Sequence, residues 1–256
     1  IWTQDYRTKI QCYVEGIVFY KHWIDVDNSN TETSAGKVHN CIISNNDLEN
    51  LIKRGVTVSD TLFINGYRVR SGADVYANLF VYFTGCHFKN TRDDSLGGGA
   101  VLGEGPGVYL TNCKFENCTT FASVNGGGAV MWANVVNSIA IGCKSVNTGG
   151  AFYGCTVKNS SAIGCTADVS QGAFAGGCNI FDCYAIGCTA PVYPAYDPAD
   201  NTGTPTVTPQ IATNTAEGTI RIATDSEVVT GTSEVLAVNP KQLKAGLDTK
   251  VDKVTG

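Results

Sequence analysis

Four carboxylates within one stretch of this sequence are the side chains best placed to do chemistry. They are Asp93, Asp94, Glu104 and Glu116. A glycoside hydrolase needs two carboxylates about 5 to 9.5 Å apart, and a polysaccharide lyase would add a base such as Arg92 or Lys114. The simpler interpretation is that Asp93-Asp94 forms a solvated turn before Gly97, and we favour it. We therefore expect the chain to bind a partner without cleaving it, and we assign no catalytic residue.

Eleven cysteines form the second reactive set, and nine of them lie between Cys86 and Cys188. Zinc sites normally use paired C-x-x-C elements or cysteines with nearby histidines. The sequence has neither, so we expect no metal and no other cofactor. A disulfide framework would require an oxidising compartment, and the odd count leaves at least one thiol unpaired. The interpretation we favour is that the cysteines are reduced and act as small apolar fillers in a core.

An internal repeat indicates which elements position these side chains. Ser138-Ile-Ala-Ile-Gly-Cys143 returns as Ser160-Ser-Ala-Ile-Gly-Cys165 and as Cys183-Tyr-Ala-Ile-Gly-Cys188, with closing cysteines 22 and 23 residues apart. A fixed period of this length marks a repeat architecture. Ile and Cys alternate as in a strand, and the glycines leave no helical stripe. The pattern predicts a parallel β-helix of about seven or eight coils over residues 31–190, with Cys143, Cys165 and Cys188 in one line.

Two further recurrent elements fit the corners of such coils. Asn40-Cys-Ile-Ile-Ser-Asn45 and Gly85-Cys-His-Phe-Lys-Asn90 share an outline in which Asn closes the unit. Asn suits a left-handed turn, and stacked Asn side chains hydrogen-bond along the axis. Gly97-Gly-Gly-Ala-Val101 recurs as Gly126-Gly-Gly-Ala-Val130. A phosphate loop would open a helix and usually carry Lys, so we interpret these glycines as tight corners.

Composition divides the chain into four segments. We expect a cap or attachment segment at 1–30, the β-helix at 31–190, a Pro/Thr-rich linker at 191–215 and a small strand-helix unit at 216–256. The chain begins with Ile and stops within this last unit, so we expect a longer polypeptide. The net charge of −5 and the lack of a basic cluster argue against nucleic acid as a partner. No apolar run approaches the length of about 18 residues that would predict membrane insertion.

Charged residues are scarce along the later coils. From Thr119 to Ala190 the only ones are Lys144, Lys158, Asp168 and Asp182. A surface exposed to solvent normally carries more charge, which suggests that partner subunits cover one side. The C-terminal unit is too small to bury a core alone. We therefore expect a homotrimer.

A family resemblance adds to these arguments. The segment from Thr219 to Ala245, with its Ala-Thr…Glu-Val…Gly-Thr…Ala-Val-x-Pro-x-x-Leu order, resembles the short strand-helix unit of bacteriophage tail fibres, as does the closing Leu247–Gly256. The β-helix part resembles phage tailspikes, which implies a right-handed, pectin-lyase-like helix, in keeping with the right-handed bias of parallel crossovers. It also resembles bacterial outer-membrane adhesins through Gly127-Gly-Ala-Val130 and Phe115-Glu-Asn117.

The phage resemblance covers both halves of the sequence, so we favour it. It implies a structural and receptor-binding component of a phage tail, either a fibre or a spike. Such a protein would be made in the host cytoplasm and located in the virion tail. Its partners would be other tail proteins and a host surface glycan or outer-membrane protein. The alternatives are a polysaccharide depolymerase tailspike and a bacterial β-helix surface adhesin.

Overall fold

The computed structural model describes residues 7–10, 13–21, 23–27, 36–46, 48–73, 79–95, 97–104, 107–122 and 126–208. Within these ranges all regular secondary structure is β, and neighbouring strands pair in parallel. The predicted all-β fold, a parallel β-helix, is confirmed. The predicted strand-helix unit at 216–256 lies outside the described residues.

Four parallel sheets run along the β-helix, and a full coil passes through them in the order sheet 1 to sheet 4. Sheet 1 contains β1 (Arg7–Ile10), β4 (Trp23–Asp27), β7 (Asn50–Lys53), β10 (Val69–Gly72), β14 (Val101–Glu104), β18 (Val130–Met131), β22 (Phe152–Tyr153) and β26 (Phe174–Ala175). Sheet 2 contains β2 (Tyr13–Glu15), β5 (Lys37–His39), β8 (Thr57–Ser59), β11 (Val81–Thr84), β15 (Val108–Thr111), β19 (Asn134–Val136), β23 (Thr156–Lys158) and β27 (Asn179–Phe181). Sheet 3 contains β3 (Val18–Tyr20), β6 (Ile42–Ser44), β9 (Leu62–Ile64), β12 (His87–Lys89), β16 (Lys114–Glu116), β20 (Ile139–Ile141), β24 (Ser161–Ile163), β28 (Tyr184–Ile186) and β29 (Thr206–Thr208). Sheet 4 contains β13 (Arg92–Asp93), β17 (Thr119–Thr120), β21 (Lys144–Ser145) and β25 (Thr166–Ala167).

The ladders extend beyond residues 31–190 at both ends. Strand β3 pairs with β6 through Val18 and Ile42, so coil strands already occur within the segment 1–30. Strand β29 pairs with β28, and Thr202 bridges Asn179, so the predicted linker supplies a further coil. A coil at the end of the ladder tolerates proline because Pro retains its carbonyl acceptor. The ladder continues directly after Pro194, where the Ala173 amide donates to the carbonyl of Ala195 at 2.9 Å.

The corners between sheets use left-handed residues, as the closing Asn pattern predicts. Asn90 and Asn117 have φ values of 51° and 53°, and Gly142 takes the same position in the next coil with a φ of 59°. The Asn90 Nδ2 atom donates a hydrogen bond to Asn65 Oδ1 at 2.9 Å. Asn is among the few side chains that tolerate this conformation, so one residue both makes the turn and links neighbouring coils.

The described cysteines are free thiols buried inside the coils. Cys118, Cys143, Cys165 and Cys188 follow one another at the corner between sheet 3 and sheet 4, each directly before paired residues of sheet 4. This confirms the predicted line and adds Cys118 to it. Each thiol is within reach of a carbonyl of the preceding coil; the Cys188 Sγ atom, for example, lies 3.3 Å from the Ala162 oxygen. Burial raises the pKa of Cys143, which disfavours the reactive thiolate.

The interior contains stacked phenylalanines, which come from sheet 3 in the earlier coils and from sheet 1 in the later ones. Phe63, Phe88 and Phe115 stack under sheet 3, with ring centroids 4.7 and 5.2 Å apart. In later coils sheet 3 presents alanine at this position, and Phe152 and Phe174 stack under sheet 1 at 5.6 Å. Phenylalanine rings from different sheets thus fill the interior in turn, and Phe83 under sheet 2 adds a second ring beside Phe88 at 6.0 Å, since cores pack to a nearly constant density.

Glycines stack where the chain passes from sheet 4 into sheet 1. They are Gly99, Gly128, Gly150 and Gly172. A Cβ atom at any of them would meet backbone atoms of sheet 4 and of the following coil at 2.1–2.7 Å. The predicted corner is present, and in this position glycine is required because two backbones approach closely.

Candidate functional site

Asp93 is a structural residue of a turn. Its carboxylate is 1% exposed and forms an ion pair with Arg68, whose side chain is 4% exposed. It also accepts hydrogen bonds from the amide of Ser95 at 3.0 Å and from that of Gly97. The turn before Gly97 is therefore present as predicted, but Asp93 lies inside it and is not solvated. A buried carboxylate that is ion-paired and accepts backbone hydrogen bonds is poorly suited to exchange protons with a substrate.

Asp94 lies on the outside of the same turn. It accepts a hydrogen bond from the Tyr67 hydroxyl group, and the Arg92 Nε atom is 3.7 Å from its carboxylate. The guanidinium of Arg92 also lies over the ring of Tyr67, 5.0 Å from its centroid. The hydrogen bond to Asp94 raises the pKa of Tyr67. Asp94 and Arg92, the other basic residue that a lyase could have used, therefore belong to one local surface cluster with Tyr67.

Glu104 belongs to a chain of charges that also reaches Asp93. Arg70 pairs with Glu104, and its other terminal nitrogen lies 3.6 Å from Glu49. Glu49 in turn lies 2.9 Å from Arg68, the partner of Asp93. Two of the four candidate carboxylates, Asp93 and Glu104, are therefore linked through ion pairs of Arg68 and Arg70 with Glu49. Sequence reasoning missed these three residues, although Arg68-Val-Arg70 has the spacing of same-side neighbours on a strand.

Glu116 lies on the outer side of sheet 3, within a cluster of cations. Its carboxylate is 2.7 Å from Lys89, 2.8 Å from Lys114 and 3.3 Å from His87. Hydrogen bonds from Lys114 and Lys89 lower the pKa of Glu116 to about 2. A general acid must hold its proton near the working pH, and Glu116 does not. Lys114, the basic residue that a lyase could have used, is likewise paired with Glu116.

A different group of side chains projects from the outer surface of sheet 2. Tyr82 stacks on Tyr109 with ring centroids 5.4 Å apart, and Phe80 lies edge-on to both at 6.4 and 5.9 Å. We call these three residues the aromatic platform. It forms because Tyr82 and Tyr109 are register partners on β11 and β15. Phe80 fits beside them because Gly107 has no side chain, and a Cβ there would come within 3.0 Å of the ring.

The rim of the aromatic platform carries hydroxyl and amide groups. The outward positions of β8, β11, β15 and β19 that surround it are Thr57, Ser59, Thr84, Thr111 and Asn134, together with the apolar Val136. None of these side chains is ionised. Tyr82 is 42% exposed. Aromatic faces pack against the C–H faces of a ligand, while the rim offers hydrogen-bond donors and acceptors. This combination suits a neutral polyhydroxylated ligand.

Sequence reasoning missed the aromatic platform, although a signal was present. Tyr82 and Tyr109 are 27 residues apart, the same separation as Cys86 and Cys113. Because that separation is the length of this coil, the two tyrosines had to stack. Among the described residues, no group of three or more His, Cys, Asp or Glu side chains is arranged to hold a metal ion. Nor do the described ranges contain a helix long and apolar enough to cross a membrane.

Comparison with known proteins found no matching family model, no matching curated protein and no matching solved structure.

Proposed function

We propose that this protein is a structural and receptor-binding component of a bacteriophage tail, a fibre or spike that contacts the surface of the host cell. The observation that carries the proposal is the aromatic platform, a stack of partly exposed rings on the outer surface of sheet 2. The resemblance of Thr219–Ala245 to tail-fibre units supports the assignment to a tail. In this proposal the chain assembles as a homotrimer, joins other tail proteins and resides in the virion.

Recognition without cleavage is favoured by the state of the carboxylates. Asp93 is buried against Arg68, Glu104 is paired with Arg70, and Glu116 is held ionised by two lysines. A glycosidase needs one carboxyl group that is protonated and a second that is free to attack or to activate water. The aromatic platform, by contrast, offers contacts that stabilise a bound ligand without selecting a transition state.

The test compares binding and cleavage on host capsule or lipopolysaccharide. We expect the purified protein to bind one of these glycans and to release no oligosaccharide. Tyr82→Ala and Tyr109→Ala should each weaken binding on the order of tenfold, since ring contacts of this kind contribute about 1 kcal/mol or more. Phe181→Ala is the matched control, because Phe181 is 52% exposed on the same sheet but lies in a distant coil. It should bind like the unmodified protein.

Two results would contradict the proposal. Unchanged binding in both tyrosine variants would show that the aromatic platform is not the receptor surface. Release of oligosaccharides that disappears in Glu104→Gln or Asp94→Asn, with binding intact, would instead establish the depolymerase. Tail-assembly genes beside the coding sequence would exclude the adhesin alternative.

A further inference from the structure

A glutamate, a histidine and a serine form a row across the first three strands of sheet 2. Glu15, His39 and Ser59 are register partners on β2, β5 and β8, and their side chains lie on the outer surface of the sheet. The Ser59 Oγ atom is 2.9 Å from Nδ1 of His39. On the other side of the ring, Nε2 is 3.8 Å from Oε1 of Glu15. We call these three residues the Ser59 row.

The Ser59 row is held in place by the strands and by a neighbouring hydroxyl group. The Asn40 amide donates a hydrogen bond to the carbonyl of Ser59 at 3.1 Å, so the backbone beside the row is paired. The Tyr13 hydroxyl group donates to Oε2 of Glu15 at 2.8 Å. A hydroxyl group beside an imidazole, with a carboxylate on the far side of the ring, is the arrangement that activates a serine as a nucleophile.

The distances assign the protons of the row. Ser59 Oγ is the nearest partner of Nδ1, so we assign the hydroxyl hydrogen to the Ser59–Nδ1 hydrogen bond and the ring hydrogen to Nε2, facing Glu15. The Oδ2 atom of Asp60 lies 3.5 Å from the same Nδ1. It can accept the Nδ1 hydrogen once a proton has moved from Ser59 to the ring. Two carboxylates therefore flank the imidazolium that forms when Ser59 attacks.

The Ser59 row ends beside the aromatic platform. Tyr82 is the register partner of Thr57, and Ser59 lies two residues further along the same strand. The spacing of strands and the rise per residue place Ser59 about 8 Å from Tyr82 between Cα atoms. A ligand ring stacked on Tyr82 therefore brings its substituents over Ser59. Lys37 projects from the same side of β5 as His39 and offers a cation to a developing oxyanion.

We propose that Ser59 is a nucleophile that cleaves acyl esters, such as an O-acetyl group on a hydroxyl-rich ligand bound by the aromatic platform. His39 is the general base and acid, and Glu15 is a positioning residue that acts through His39. The inference rests on the proposed function for the identity of the ligand, but not for the reactivity of Ser59. Removing an acyl group leaves the glycosidic bonds intact, so we still expect no release of oligosaccharides.

The reaction has two steps and needs only water as a second reactant. In the first, Ser59 Oγ bonds to the acyl carbon while its proton moves to Nδ1 of His39. The ester C–O bond then breaks, and the leaving oxygen takes that proton and departs as the alcohol. In the second, water attacks the acyl-serine and gives a proton to Nδ1. The carboxylic acid leaves, and the proton returns to Ser59 Oγ.

The first experiment measures the reactivity of Ser59 in the full chain without any glycan. A fluorophosphonate probe bonds to activated serines with loss of fluoride, and peptide mass spectrometry locates the label. We expect labelling at Ser59 and hydrolysis of p-nitrophenyl acetate. Both rates should fall on the order of a hundredfold in His39→Asn, which is the size of effect that a general base contributes. Ser59→Ala should lose both reactions.

Ser161→Ala is the matched control. Ser161 projects from the outer surface of sheet 3, where its register partners are Ile139 and Tyr184, so the variant should react like the unmodified protein. Circular dichroism verifies that each variant is folded. An unlabelled Ser59 in the folded protein would overturn the proposal. Ester hydrolysis that is unchanged in Ser59→Ala would also overturn it, because His39 would then be reacting with the ester directly.

The role of Glu15 is tested with two substitutions that separate charge from shape. Glu15→Gln should slow the labelling of Ser59 on the order of tenfold, because the imidazolium loses one of its two flanking carboxylates. Glu15→Asp keeps the charge and should recover part of the rate. Labelling of Glu15→Gln at the unmodified rate would overturn the positioning role.

The second experiment tests the acyl ester on the ligand. O-acetylated capsule or lipopolysaccharide is incubated with the protein, and acetate release is followed by proton NMR. We expect release that is lost in Ser59→Ala and slowed in Tyr82→Ala. Labelling of Ser59 without acetate release would overturn the assignment of the substrate. Absence of glycan binding would overturn the proposed function while leaving the labelling of Ser59 unchanged, so the two failures are distinguishable.

Discussion

Replacing Gly150 by alanine tests the packing of the coils most directly. A Cβ atom at Gly150 would lie 2.1 Å from the carbonyl oxygen of Gly172 and 2.6 Å from that of Thr166. Both obstacles are backbone atoms, one in the next coil and one in sheet 4, so neither can rotate away. The added methyl group must therefore push two coils apart or distort a ladder.

The magnitude follows from two opposing terms. Adding a methyl group to a well-packed core typically costs about 1–3 kcal/mol, and rigid backbone on two sides places Gly150 at the upper end. Alanine restricts the unfolded chain more than glycine, which offsets about 0.4–1 kcal/mol. The expected net loss is about 2 kcal/mol. For a domain of this size, that corresponds to a fall in Tm of about 4–8 °C.

The assay is thermal unfolding followed by circular dichroism in the presence of a reductant, with Gly164→Asn as the matched control. Gly164 has a φ of +58°, and a Cβ atom there would meet nothing within 4 Å. Asn90 and Asn117 occupy the same corner in earlier coils with nearly the same φ. Asn should therefore be tolerated at Gly164 with a Tm change under about 2 °C. A Tm for Gly150→Ala equal to or above that of Gly164→Asn would refute the reasoning.

Three further predictions concern the thiols and the charged groups. In the native protein the thiols should react slowly with a labelling reagent, and eleven should react after unfolding without reductant; a lower total would reveal disulfides. Asp93→Asn should lower the free energy of unfolding by about 1.5–3 kcal/mol, because it removes the buried one of the two carboxylates that pair with Arg68, whereas Asp94→Asn at the surface should change it by under about 1 kcal/mol; equal effects in urea unfolding would contradict the assignment. Since the pKa of Glu116 is lowered from 4.5 to about 2, its stabilising contribution is present above pH 4.5 and is lost as the pH falls towards 2. Glu116→Gln should flatten that acid dependence in unfolding curves, and an unaltered curve would count against the cluster.

The fold was predictable because in-register stacking makes each coil repeat the chemistry of the last. Cys143, Cys165 and Cys188 recur at nearly constant spacing since each fills the same inward corner. The Asn residues recur because the same corner needs a left-handed backbone. Where coils have equal length, residues that match in sequence therefore also match in space.

The parts that could not be predicted depend on coils of unequal length or on contacts across the interior. Phe115 under sheet 3 and Phe152 under sheet 1 are in contact, with centroids 6.5 Å apart. The sequence of one coil does not reveal this contact, because the phenylalanine position moves from sheet 3 to sheet 1 between neighbouring coils. The ion pair of Arg68 with Asp93 likewise joins residues from two coils. Only the register of the strands brings such residues together.

The same register explains how one scaffold can carry two different surfaces. The aromatic platform belongs to sheet 2, and the ion-paired cluster around Glu116 belongs to sheet 3, the next sheet along each coil. Between them the chain turns through a single left-handed corner, such as Gly85 before Cys86. Because strand side chains alternate in and out, the outward residues of both sheets share one core while facing different directions. We therefore expect a substitution on the outer surface of one sheet to leave the outer surface of the next intact, so that Tyr82→Ala should not alter the acid dependence that Glu116 contributes and Glu116→Gln should not alter the stacking of Tyr82 on Tyr109.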